Sequence, residues 1–183
     1  MKLILTYLIP LFLISLNAIA QKDLIEWNDT RRLVWADFKG KVPVNAANAA
    51  LTNTSINVEF GFSKKGMTYS IKCRFDKNKS WVRVKNDLVL SHEQGHFDIA
   101  ELHARKLNKA LRDYRFNSKT VSEDVNKIYE TVMKDHHAFQ SEYDQQTDFS
   151  RKVEKQVEWL ARIEKDLKSF EEYKNYTQEL MGQ

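Results

Sequence analysis

The chain has 183 residues, 42% hydrophobic and 30% charged, the size and balance of one globular domain. Its formal charge of +4 comes from basic residues scattered among acidic ones, which argues against a nucleic-acid surface. The lone cysteine, Cys73, excludes an intrachain disulfide, so the core must hold the fold unaided.

Residues 1–20 read as a secretory signal peptide. Lys2 gives a short positive start, Leu3 to Leu16 is nearly all apolar, and Ala18-Ile19-Ala20 is a small-x-small cleavage signature. The apolar run is shorter than the ~20 residues of a membrane span and Pro10 interrupts it, so no stable membrane insertion is expected after cleavage. The expected product is an exported protein, periplasmic or secreted, with residues 21–183 as a single domain.

Leu33-Val34-Trp35 suggests a short strand, with a turn over Asp37-Phe38-Lys39-Gly40. Pro43 to Asn53 is rich in Ala and Asn, lacks periodicity and predicts a loop. A hairpin comes next. Ile56, Val58, Phe60 and Phe62 alternate with polar or small residues, as do Met67, Tyr69, Ile71, Cys73 and Phe75. Lys64-Lys65-Gly66 joins the two runs, and Cys73 falls on the packed face. Ser80 to Val84 predicts a third strand.

After Asn86-Asp87, either of which can cap a helix, the apolar period becomes 3.6 and predicts a helix to about Tyr114. Gly95 within it costs up to ~1 kcal/mol against Ala, which points to close approach of another segment. Thr120-Val121-Ser122-Glu123 is a capping-box pattern. It opens a second helix with Val121, Val125, Ile128, Val132, Phe139 and Tyr143 as its stripe, to about Gln146. Asp148 or Ser150 caps a third, with Val153, Val157, Leu160, Ile163, Leu167 and Phe170 on its face. From about Asn175 the chain is polar and is expected to fray. The fold class is α+β, a small antiparallel β-sheet followed by helices.

The first helix carries the chemistry, in His92-Glu93-Gln94-Gly95-His96. Histidines at i and i+4 lie about 40° apart on one helical face, so both imidazoles can reach one Zn²⁺. Glu93 beside them is placed to act as general base toward a metal-activated water. His-Glu-x-x-His arises by chance in well under ~1% of chains this long. Here it follows a predicted strand, and all five histidines fall between positions 92 and 137.

A catalytic zinc needs a third protein ligand and an open position. His103 lies about 10.5 Å along the helix from His96 and cannot reach the same ion. Glu101 is about 140° round the helix from His96, which suits an outer position or a surface pair better. The ligand is therefore expected from the next helix, where His136, His137, Glu142 and Asp144 are candidates, with Asp148 as outer support. Asp144 is the preferred choice, because it sits in the polar cluster 142–148 that ends an apolar stripe. Tyr143 is a candidate donor to a developing oxyanion, its alternative being a core tyrosine.

The sequence resembles the bacterial DUF922 family of exported zinc-dependent proteases, of zincin-like, gluzincin type. The resemblance rests on Leu33-Val34-Trp35-Ala36-Asp37-Phe38-Lys39-Gly40, Ser80-Trp81-Val82, the block from His92 to Glu101, and Tyr143-Asp144-Gln145-Gln146-Thr147. It implies zinc and a zincin-like active-site helix ahead of two further long helices. A His-Gly pair that follows the Tyr-Asp-x-x-Thr run in that family is replaced here by Phe149-Ser150. The expected activity is hydrolysis of a peptide or protein substrate, with Zn²⁺ on His92, His96 and Asp144 and with Glu93 and Tyr143 as catalytic groups. Two rival expectations are a zinc-binding but non-catalytic cell-envelope protein with a closed four-ligand site, and a metal-free helical interaction protein.

Overall fold

The structure, a computed structural model, describes residues 23–63 and 66–181. The expected signal peptide and the hairpin residues Lys64 and Lys65 lie outside the described residues. The strands are β1 (Leu24–Glu26), β2 (Ala50–Leu51), β3 (Thr54–Phe62), β4 (Gly66–Asp76), β5 (Trp81–Val82) and β6 (Thr177–Met181). The helices are α1 (Asp87–Asp113), α2 (Val121–Thr147) and α3 (Val153–Ser169). The expected α+β class is what the chain adopts.

The centre of the sheet is β4, whose alternation is unbroken. Met67, Tyr69, Ile71, Cys73 and Phe75 are all buried on one face. They pack on Phe97, Ala100, Ala104, Leu107 and Leu111 of α1 in one core. Each such side chain contributes about 1.5–3 kcal/mol by burial. The hairpin partner β3 runs antiparallel from Thr54↔Phe75 to Phe62↔Met67. The opposite edge of β4 is shared. β1 pairs with residues 74–76 and β6 with residues 66–70. Between them Trp27 N–H donates to Cys73 O at 3.0 Å, and Ile71 N–H to Tyr176 O at 3.3 Å, so the edge is covered almost without a gap.

Several expected elements differ. Leu33-Val34-Trp35 is not a strand, because the Leu33 N–H is taken by the Gln94 side chain of α1 at 2.7 Å and the Val34 N–H by Asp37 at 3.0 Å. A single 3-10 turn follows, Trp35–Asp37. The expected loop 43–53 contains β2, which pairs with β5 in a separate two-stranded ribbon. β5 is only two residues long, since the N–H groups of Arg83 and Val84 converge on one carbonyl, Ala49 O, at 2.8 and 3.0 Å. The tail does not fray: Asn108 holds the carbonyls of Tyr173 and Asn175, Tyr176 bonds Glu101, and β6 completes the sheet.

Asn86 caps α1, its side chain accepting from Val89 N–H at 2.8 Å. α1 is buried on most of its faces, so its polar groups need fixed partners. Asp98 accepts from Trp27, Arg32 and Gln94, and Arg105 donates to Glu101, Glu171 and Leu167 O. The capping box at Thr120 does not form, because its hydroxyl donates to Asp124 at 2.7 Å instead. Neither Asp148 nor Ser150 caps α3, which starts after Lys152 with no side-chain cap. Its apolar stripe is also rotated. Val153 and Val157 are exposed, while Gln156, Trp159 and Ile163 are buried. Gln156 sets that rotation, donating to Leu88 O and Ser91 Oγ at 2.8 Å each. Among the described residues no helix is long and apolar enough to cross a membrane.

Candidate metal centre

Two helices supply the centre. His92 and His96 stand one turn apart on α1, and Asp144 comes from the C-terminal part of α2. Asp144 Oδ1 lies 3.1 Å from His92 Nε2 and 3.1 Å from His96 Nε2, and the two nitrogens are 3.2 Å apart. The three atoms form a nearly equilateral triangle. Ligands of a tetrahedral zinc with bonds of about 2.0–2.1 Å are separated by about 3.3 Å. The triangle therefore has nearly the size of one face of such a tetrahedron, and the donor set of two imidazoles and a carboxylate suits zinc.

The outer contacts orient these donors. Gln140 Nε2 donates to His96 O and to His136 Nε2, both at 3.0 Å. Its amide hydrogens thus engaged, Gln140 turns Oε1 toward His96 Nδ1, at 2.5 Å. This network fixes a proton on His96 Nδ1, so a metal ion would displace only a proton of Nε2, the atom that faces Asp144 and His92. Burial works to lower the His96 pKa, but Asp144, Glu93 and Gln140 outweigh it and leave the imidazole above its ordinary value. Burial likewise pushes the Asp144 carboxyl up, yet the hydrogen bonds from His92 and His96 pull it well below the usual carboxylate range.

Tyr143 supports the centre from behind. Its ring stacks on His92, with centroids 4.5 Å apart, and its hydroxyl donates to His92 O at 3.3 Å. It is fully buried, with Trp159 of α3 against its ring. Its hydroxyl is directed at backbone and Tyr143 does not line the cleft, which favours the alternative of a core tyrosine over a donor into the cleft. The close approach expected at Gly95 is this tyrosine, since a Cβ there would stand 2.4 Å from its hydroxyl oxygen.

Glu93 borders the cleft beside the triangle, and its Oε2 is buried without a hydrogen-bond partner among the described residues. A buried carboxylate oxygen left so is ready for a polar guest. His92, Glu93, His96 and Asp144 all line one cleft of about 280 Å³, together with His136, His137 and Gln140 of α2. Residues 48–54 line it as seven consecutive positions, and Val89, Phe149 and Ser150 complete it. Thr52 Oγ1 ties this segment to α1 by donating to Glu93 O at 3.2 Å. The rim expected from Ser80 to Val84 is thus formed by 48–54, and none of 80–84 lines the cleft. The small side chains of Ala49 and Ala50 give this segment no periodicity from which a cleft wall can be read.

None of the other candidate ligands belongs to the triangle. Glu142 is exposed and accepts from Gln146. Glu101 is buried with Arg105 and Tyr176. His103 donates from Nδ1 to Ile99 O, with Asp135 and Lys106 at its Nε2. Asp148 pairs with Arg151 on the surface rather than supporting the centre. His136 is held neutral by burial and by the neighbouring histidines, its pKa lowered to about 3.

The family model described as a bacterial protein of unknown function (DUF922) matches residues 17–151, about three quarters of the chain. The matched span holds both helices of the centre and the 48–54 segment. No curated protein and no solved structure matches the chain.

Proposed function

The chain belongs to the DUF922 family, and from that premise we propose that it is an exported zinc-dependent peptidase. His92 Nε2, His96 Nε2 and Asp144 Oδ1 would hold the ion, with Gln140 against the His96 ring and Tyr143 against that of His92. Bound there, zinc supplies Lewis acidity that activates a water and polarises a carbonyl. Glu93 Oε2 would take the proton of the attacking water as its oxygen bonds to the carbonyl carbon, and deliver it to the amine nitrogen as the C–N bond breaks. The peptide lies extended along 48–54, where β2 offers the rim of a strand. Export rests on the signal-peptide pattern of residues 1–20.

The observation that carries this reading is the triangle of 3.1–3.2 Å edges with the unpartnered Glu93 oxygen beside it. It is tested by metal analysis of the purified protein and by peptide-library cleavage, with Glu93→Gln alongside. One zinc per chain and cleavage are expected in the wild type. The variant should keep the zinc and lose hydrolysis by at least about 100-fold. Wild-type protein without zinc, or a variant with undiminished turnover, ends the reading.

A further inference from the structure

We infer that the cleft takes the interior of an extended peptide whose side chains next to the cut bond are uncharged and apolar. This rests on the proposed peptidase reading and deepens it. Three observations carry it.

The first is charge. The chain is 30% charged, yet among the described residues the only acidic or basic side chains lining the cleft, histidines apart, are Glu93 and Asp144. Both belong to the centre. No lysine or arginine is there to receive a terminal carboxylate, and no spare carboxylate to receive a terminal amine. An enzyme that trims chain ends needs such an anchor; one that cuts within a chain does not. A charged substrate side chain would lose hydration in this cleft and, histidines apart, find no ion-pair partner outside the centre itself.

The second is that two large apolar residues are exposed on the lining. Leu51 and Phe149, 36% and 41% exposed, are large hydrophobic residues that the fold leaves open, and both line the cleft. The third is how Phe149 is held. It sits in a run of left-handed residues, Asp148, Phe149 and Ser150, with φ of 49°, 52° and 74°. Such backbone costs of order 1 kcal/mol or more per residue and persists only where its surroundings enforce it. Phe149 N–H donates to Asp144 O at 2.9 Å, so the backbone that carries the ring is tied to the proposed ligand residue itself. Arg151, 5.8 Å from the ring, is paired with Asp148 and does not line the cleft.

The test uses zinc-loaded protein and decapeptides identical except beside the central bond, where Leu or Phe is exchanged for Lys or Glu. Each is made with free and with blocked termini. kcat/KM should be at least about tenfold higher for Leu and Phe, and blocking the ends should change it less than about threefold. Equal or faster cutting of the Lys or Glu peptides overturns the inference, as does failure to cut blocked ones. Dissociation constants for the same peptides on zinc-loaded Glu93→Gln provide a readout without turnover. The same ranking is expected, and equal binding of all peptides, or of none, overturns it. Phe149→Gly, whose backbone suits the left-handed turn, should reduce the apolar preference about tenfold with zinc content unchanged. An undiminished preference overturns the part given to Phe149. Protein without zinc would bring down the peptidase reading itself, whereas zinc and cleavage without the preference would bring down this inference alone.

Discussion

Gly95 of α1 and the Tyr143 hydroxyl of α2 meet where no side chain would fit, 2.4 Å from a Cβ built on the glycine. The contact sets how closely the two helices approach, and the candidate ligands are divided between them, His92 and His96 on α1 and Asp144 on α2. The tyrosine ring also backs His92, so the glycine governs the ligand at one remove.

Gly95→Ala gains helix propensity of up to ~1 kcal/mol but must displace the Tyr143 ring from a filled site. A net loss of about 1–3 kcal/mol is expected in denaturant unfolding, together with weaker zinc binding. Tyr143→Phe should cost only about 1 kcal/mol, since it deletes one hydrogen bond to His92 O. It should leave turnover nearly intact, which separates a positioning role from an oxyanion donor. A loss of turnover comparable to that of Glu93→Gln would restore the catalytic assignment.

Gln140→Ala removes the acceptor at His96 Nδ1 and the donor to His136. Loss of such an outer partner weakens metal binding by about 10–100-fold. Competition against a chromophoric chelator measures it. Gln140→Glu, which keeps an acceptor at His96, should bind zinc more tightly than Gln140→Ala. The same affinity in all three proteins would show that Gln140 does not orient the ligand.

Asp144→Asn is the test of the third ligand. Zinc at 100 times its dissociation constant adds about 2.7 kcal/mol to the folded state. For a domain of this size that raises Tm by roughly 5–10 °C. Wild type should lose this increment on chelation. Asp144→Asn should show little of it, because its neutral amide is a poor zinc ligand. A chelator shift of wild-type size in the variant would move the ligand elsewhere.

His136 predicts an acid limb of stability. Its folded pKa is depressed to about 3 by burial and neighbouring imidazoles. An unfolded histidine titrates near 6.5, so below about pH 6.5 the unfolded chain binds a proton that the folded one refuses. The contribution is complete above that pH and is lost as pH falls toward 3. His96 runs the other way, its raised pKa adding stability on the acid side. A variant isolates the two: metal-free His136→Leu should lose less stability between pH 6.5 and 4 than metal-free wild type. Parallel pH curves would remove His136 as the source.

The site was legible in the sequence to the extent that it depends on helical period. His92, His96 and Glu93 share one turn, and His103 and Glu101 could be set aside by rise and rotation alone. Gly95 was legible as a cost without a visible return. Gln140 was not, because a glutamine within a helix looks like any surface residue until its three partners are known. The 48–54 wall was missed because it works through backbone and small side chains, which leave no periodicity. On α3 the hydrophobic rule misled: Val153 and Val157 face outward, and polar Gln156 faces inward because two groups of α1 require its amide. The C-terminal strand was missed because its pairing lies with residues more than a hundred positions away.

That last pairing bears on how the protein comes into being. One edge of β4 is shared end to end by the first and last strands of the described chain. A growing polypeptide can form the hairpin and all three helices while that edge is still half bare. Only when residues 177–181 emerge, more than a hundred positions after their partners 66–70, can the sheet be zipped shut, so the scaffold beneath the candidate metal centre stays incomplete until then.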